Sequence, residues 1–261
     1  ELDYYFKKTK DLLFTRELAS QTGFSNRLEN IGSLQNKGFD FSVNAVIVDK
    51  ENFQWNSSFN ISTYENEILD IGSDNFIDTN TLGVNVAGAT GQLRVGSPLG
   101  IFTGFETNGV YQTQAQVDED GFTNGYTPGE LRFVDQNGDG TITIADDLTV
   151  IGDSNPDFFG GWNNSFNYKG FELSSFFQFV YGNDIYNIPK TAAVRSNSGT
   201  AYAQFANAWT PDNTITDIPA AQSFNPQSSN SFNVEDGSFL RLKTLQLAYN
   251  FTGEQDRKSV V

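Results

Sequence analysis

The sequence predicts an all-β fold, an antiparallel transmembrane β-barrel wall with long loops on one side. Three observations lead there. Several runs of about ten residues alternate between apolar and polar side chains, the period of a strand with two different faces. The connections between these runs sort by length: 15–29 long, 49–52 short, 63–157 long, 169–170 short, 182–237 long and 252–257 short again. The apolar faces draw on 24 Phe, 10 Tyr and 3 Trp, the residues of a lipid-facing surface with aromatic girdles. A soluble β-sandwich also alternates, but it gives no reason for connections to sort by length.

In chain order, residues 2–14 read as a first strand, with Tyr4, Tyr5 and Phe6 near its start, and 15–29 read as a polar, irregular connection. From Gly38 onward, Phe39, Phe41, Val43, Ala45 and Ile47 share one face, and Asp40, Ser42 and Asn44 the other. After the turn 49–52, Phe53, Trp55, Phe59 and Ile61 lie opposite Gln54, Asn56, Ser58, Asn60 and Ser62. Residues 64–90 are polar, and 92–113 hold short β-prone pieces broken by Gly and Pro. Alternation returns at 158–168, with Trp162, Phe166 and Tyr168 opposite Asn163, Ser165 and Asn167. Lys169-Gly170 makes a tight turn. Phe171, Leu173, Phe177, Phe179 and Tyr181 follow, and Phe176 and Val180 interrupt the polar face behind them. Within the long polar stretch 183–237, residues 202–209 suit a short helix. Residues 238–251 form the last strand, with Leu245, Leu247, Tyr249 and Phe251 on one face. Strict alternation also places Arg241 and Lys243 on that apolar face at its outer end. There they would snorkel to the interface or meet lipopolysaccharide phosphates.

Composition removes several function classes. Cys and His are both absent, which leaves no disulfide, no thiolate nucleophile, no histidine base and no zinc site of the usual kind. A net charge of −16 disfavours nucleic acid as a partner. No run of 18 apolar residues occurs, which argues against a spanning helix but not against a barrel. The chain contains no Met and begins with Glu, so a processed chain or a fragment is expected.

One motif carries recognisable chemistry. Counting Asp135 as position 1, oxygen-bearing side chains fall at 1, 3, 5, 7 and 9 (Asp135, Asn137, Asp139, Thr141, Thr143), with Gly140 at 6 and Asp146 at 12. That is the spacing of a calcium loop. Asp135, Asn137, Asp139, Asp146 and the Thr141 carbonyl are the candidate Ca²⁺ ligands, and Asp in place of Glu at position 12 would weaken the site. The flanks 129–134 and 148–151 are β-prone rather than helical, so the loop is expected between strands. Asn-Gly and Asp-Gly are also strong turn formers, so a metal-free turn is the alternative. No catalytic residue is assigned and no enzyme activity is expected. Asp118, Glu119 and Asp120, like Asp146 and Asp147, are adjacent carboxylates, which a strand would send to opposite faces. No nucleophile elbow and no dinucleotide fingerprint occurs.

Five stretches carry a family resemblance: YYFKKTKDLL (4–13), NIGSLQNKGFDFSV (30–43), VGSPLGIFTGFETNGVYQ (95–112), PGELRFVDQNGDGTITIADDLTVIGDSNPDFFGGWNNSFNYKGFELSSFFQFVYGNDIYN (128–187) and EDGSFLRLKTLQLAYNF (235–251). In this order they resemble the C-terminal barrel region of the SusC/RagA family of TonB-dependent outer-membrane transporters. The resemblance implies a partial wall, residues 1–261, of a barrel of about 22 strands, with the plug, the N-terminal extension and the final strands absent. It implies residence in the outer membrane of a Bacteroidetes-like Gram-negative cell, in contact with lipid and lipopolysaccharide. It also implies import of glycan or peptide nutrients, a SusD-like lipoprotein partner and energy from TonB through an absent N-terminal segment. The alternative function is a secreted or surface calcium-binding β-domain, an adhesin or binding module.

Overall fold

The computed structural model describes residues 1–17, 23, 26–30, 32–72, 76–78, 91–193, 203–220 and 229–251. The strands in chain order are β1 Leu2–Lys10, β2 Leu13–Glu17, β3 Asn26–Asn30, β4 Ser33–Lys50, β5 Phe53–Asp70, β6 Phe76–Asp78, β7 Gln92–Arg94 and β8 Ile101–Phe105. They continue with β9 Thr107–Val110, β10 Leu131–Phe133, β11 Leu148–Asp153, β12 Phe158–Tyr168, β13 Phe171–Tyr181, β14 Asp184–Tyr186, β15 Val234–Asp236 and β16 Phe239–Tyr249. Two short helices, α1 Gln114–Asp120 and α2 Ile188–Ala193, lie in the connections.

Six of these strands form one antiparallel sheet in the order β1-β4-β5-β12-β13-β16. The long alternating runs are its members, because a period of two sends apolar and polar side chains to opposite faces while the backbones pair edge to edge. The turn between β12 and β13 needs two residues with positive φ, and Lys169 (φ 46) and Gly170 (φ 90) supply them. Gly38 in β4 meets a different need. A Cβ there would collide with the Thr63 carbonyl oxygen and the Tyr5 hydroxyl, so glycine lets the Tyr5 ring lie across the sheet.

The early connection is more ordered than its polarity suggests. Asp11 breaks the first run with φ 57, and β2 then pairs with β3, Leu13 opposite Asn30. β5 runs eight residues past Ser62 because β4 pairs with it as far as Asp70. The helix expected at 202–209 is a 3₁₀ segment, Ala203–Asn207. The turn expected at 252–257 and much of 64–90 lie outside the described residues.

The last strand departs from strict alternation. Phe177 pairs with Leu242 and Phe176 with Thr244, which leaves Lys243 unpaired in a β-bulge. An inserted residue reverses the parity of everything beyond it. Leu240 and Leu242 therefore join Leu245, Leu247 and Tyr249 on one face, while Arg241 falls opposite Gln178 on the polar face. The placement of Arg241 on the apolar face is thus corrected. A second bulge, at Ile47, brings Val48 opposite Trp55 and keeps it on the face of Val43 and Ala45.

The buried apolar side chains do not lie under this sheet. Ile68, Ile71, Ile101, Phe105, Val110, Tyr111, Leu131, Ile142 and Tyr186 belong to the far end of β5 and to the long connections. There the short pairs β8/β11, β9/β10 and β14/β15 assemble a loop domain, with Val110 and Leu131 packed among Phe133, Phe205, Trp209 and Phe232.

Candidate functional site

The sheet face that the sequence marks as apolar is exposed over much of its width. Tyr4, Phe39, Val43, Trp162, Phe171, Leu245 and Leu247, from five of its strands, stand open to the surroundings, with Leu247 at 70% and Phe39 at 50% exposure, while Phe53, Trp55, Phe59 and Ile61 of β5 are half-buried. A sandwich would bury such a face against a second sheet. A contiguous exposed aromatic face of this extent marks a membrane or partner surface. The rings pair across strands: Tyr4 with Phe39 at 5.0 Å, Trp55 with Phe166 at 5.4 Å, and Phe171 with Tyr249 at 4.6 Å. Such pairs contribute about 0.5–1.5 kcal/mol each beyond their burial.

One row breaks this face. Ala45, Ser57, Asn164, Ser175 and Leu245 lie side by side across five strands. Asn164 is 4% exposed. Its Oδ1 accepts the indole N–H of Trp55 at 3.1 Å, and Trp162 donates its own N–H to Ser57 Oγ at 2.9 Å. Each tryptophan thus satisfies a polar group that hydrocarbon could not. The alternation pattern hides Asn164, which occupies an aromatic-face position.

The loop domain holds the candidate calcium residues between β10 and β11, as their β-prone flanks predict. Asp135 accepts the backbone N–H of Gly138 at 2.6 Å and of Gly140 at 2.8 Å, and these bonds, Gly140 foremost, hold its carboxyl below the usual range. Asn137 Oδ1 accepts Asp139 N–H, and Asp139 accepts Thr141 N–H at 2.8 Å and the Asn137 amide at 3.0 Å. Thr141 Oγ1 bonds Thr123 Oγ1, and Asp146 accepts the Thr143 hydroxyl at 3.1 Å. The carboxylate that closes the loop is Asp147. It is fully buried and accepts N–H groups from Gln136 at 2.8 Å and Thr143 at 2.6 Å.

These bonds order the loop from within. Among the described residues no group of three or more His, Cys, Asp or Glu side chains gathers so that it could hold a metal ion.

A neighbouring ion pair braces the same domain. Arg132 reaches Asp120 through two bonds, 2.8 and 2.6 Å, and the Tyr111 hydroxyl donates to Asp120 at 2.8 Å. Arg132 holds the Asp120 carboxyl below its ordinary range. Burial raises Tyr111 strongly and pushes Tyr126 up to about 12. The Thr113 side chain and Gln116 form a capping box at the start of α1, the signature T-x-x-Q that could have located that helix from sequence.

No family model matches the chain. It is 40% identical over 253 residues to TonB-dependent receptor P26 of Formosa agariphila, covering 96% of this chain and 25% of that protein. It is 28% identical over 252 residues to TonB-dependent receptor SusC of Bacteroides thetaiotaomicron, covering 96% of this chain and 24% of that one. The chain is homologous to TonB-dependent receptors. Among solved structures, that of the RagAB peptide transporter superimposes with a TM-score of 0.73 at 25% identity, over 95% of this chain and 26% of its counterpart. The chain spans about a quarter of the length of these relatives. The sheet is accordingly a segment of a receptor-type β-barrel wall. Among the described residues no helix is long and apolar enough to cross a membrane.

Proposed function

We propose that this segment forms part of the wall and one loop cluster of an outer-membrane transporter. That transporter imports glycan or peptide nutrients with a SusD-like lipoprotein, TonB supplying the energy. The observation that supports the reading best is the continuous aromatic outer face, on a sheet whose relatives are TonB-dependent receptors. A secreted binding module would have to cover that face. The polar face behind it, with Asn44, Ser58 and Asn163 in one row, suits a wet lumen. In this reading the short turns 51–52 and 169–170 face the periplasm and the loop domain faces outward. The chain's own residues offer shape and polarity rather than catalysis. The test deletes the gene for the full-length parent and follows uptake of labelled oligosaccharide and peptide pools. Loss of one pool, restored by the gene in trans, is expected. Unchanged uptake of both overturns the proposal.

A further inference from the structure

Where β5 leaves the wall, one of its edges opens. Its pairing with β12 stops at Ser62 opposite Phe159, while β4 still pairs with it on the other side. Further on, Ile68 donates its N–H to Ser97 at 3.0 Å and accepts Gly96 N–H at 2.8 Å. Alternate residues of an antiparallel strand point their backbone groups to the same side. Tyr64 and Asn66 therefore aim N–H and C=O the way Ile68 does, away from β4. Among the described residues, the ladder on that side engages Ser62 and Ile68 but neither Tyr64 nor Asn66.

Both chains that could have covered this gap carry a proline at the place. Pro98 follows the contact with Ile68, and Pro156 precedes β12. Proline has no N–H to add to a ladder. The result is a cleft of about 500 Å³ lined by Tyr64 and Asn66 together with Asp153, Asn155, Pro156 and Asp157. Its shape is fixed by side chains. Asn155 accepts bonds from the Tyr64 hydroxyl and from Asn66, and Asn66 in turn accepts Leu99 N–H at 2.5 Å. The lining carries four carboxylates, Glu65, Glu67, Asp153 and Asp157. Lys37 pairs with Glu65 at 2.7 Å, and among the described residues no cation pairs with the other three.

We infer that this cleft takes a short, extended, cationic peptide, which adds a strand to the open edge at Tyr64 and Asn66. Backbone bonds to the two residues supply the affinity, as in strand addition generally. The carboxylates select lysine or arginine side chains. The volume suits roughly four extended residues. The inference concerns binding alone and stands or falls separately from import.

The experiment uses the full-length parent in detergent and the fluorescence anisotropy of a labelled peptide alternating alanine and lysine. Saturable binding is expected, weakened about tenfold or more in the double variant Glu67→Gln/Asp157→Asn. A peptide of the same sequence N-methylated at alternate amides, which leaves the protein untouched, is expected to lose binding in one of its two methylation registers. Equal binding of both N-methylated registers and the parent peptide overturns strand addition. Equal binding of a glutamate-for-lysine peptide overturns the charge selection. No binding of any peptide means that the parent's own chain fills the edge, and overturns the whole inference.

Discussion

Asn164 shows how one polar side chain is tolerated on a lipid-facing surface. Its oxygen exists there because Trp55 donates to it at 3.1 Å. Replacing Asn164 with Ala takes the acceptor from the part-buried indole N–H of Trp55, which costs about 1–3 kcal/mol. Asn164→Ala in the full-length parent is expected to lower the urea midpoint of the detergent-folded protein, while Asn163→Ala, on the wet face, leaves it near wild type. Asp147 has the matching role in the loop domain, where its buried carboxylate holds Gln136 and Thr143. The hydrogen-bonded loop and the calcium spacing lead to different results in one titration. Ca²⁺ injected into the full-length parent is expected to give a saturable heat, and equal small heats in the parent and its Asp139→Ala variant would leave the loop a metal-free turn. A saturable heat lost in the variant would establish the ion.

At the scale of elements, the bulge at Lys243 decides what β16 shows to lipid. Leu240 and Leu242 lie outward only because the extra residue restores their parity with Leu245 and Leu247. Deleting Lys243 is expected to turn Arg241 outward and both leucines inward. A cation facing the hydrocarbon costs about 2–4 kcal/mol near the midplane and less toward the interface. Heat-modifiable migration on gels is the readout, with a smaller folded fraction for the deletion and little change for Lys243→Ala. A folded fraction equal to wild type in the deletion would mean that the strand can slip and rebuild its register. The loop domain has its own support in the Asp120–Arg132 pair. Asp120 is depressed by Arg132, so its contribution is present above the ordinary carboxylate range and fades as pH falls through its lowered value. Proteolysis within 112–134 is therefore expected to speed up at acid pH in wild type and already at neutral pH in Asp120→Ala.

For the whole molecule, the sheet and the loop domain divide the work. The sheet has its apolar side chains outside, and the core sits in the loops at one end. A barrel needs its tight turns on one side of the membrane and its bulky connections on the other. In the full-length parent on whole cells, a cysteine at Asp217 is expected to react with a membrane-impermeant reagent and one at Lys50 to stay unlabelled. The reverse pattern would invert the proposed topology.

The sequence by itself determined the two faces of the long strands as far as their bulges, the side on which aromatics gather, and the tight turn at Lys169-Gly170. These follow from a period of two and from local backbone preference, both read within a few residues. It also located the Asp135–Asp146 loop between strands. The tertiary structure alone decided the rest. A bulge changes parity through a partner strand far away in sequence, so Arg241 could not be placed from alternation. Asn164 needed Trp55, more than a hundred residues earlier, to be explained. Asp147 took the closing role beside Asp146 because its buried carboxylate accepts the backbone N–H groups of both Gln136 and Thr143, whereas Asp146 accepts the Thr143 hydroxyl. The open edge at Tyr64 and Asn66 exists because three separate segments meet there, and Pro98 and Pro156 mark it only once the fold brings them beside β5.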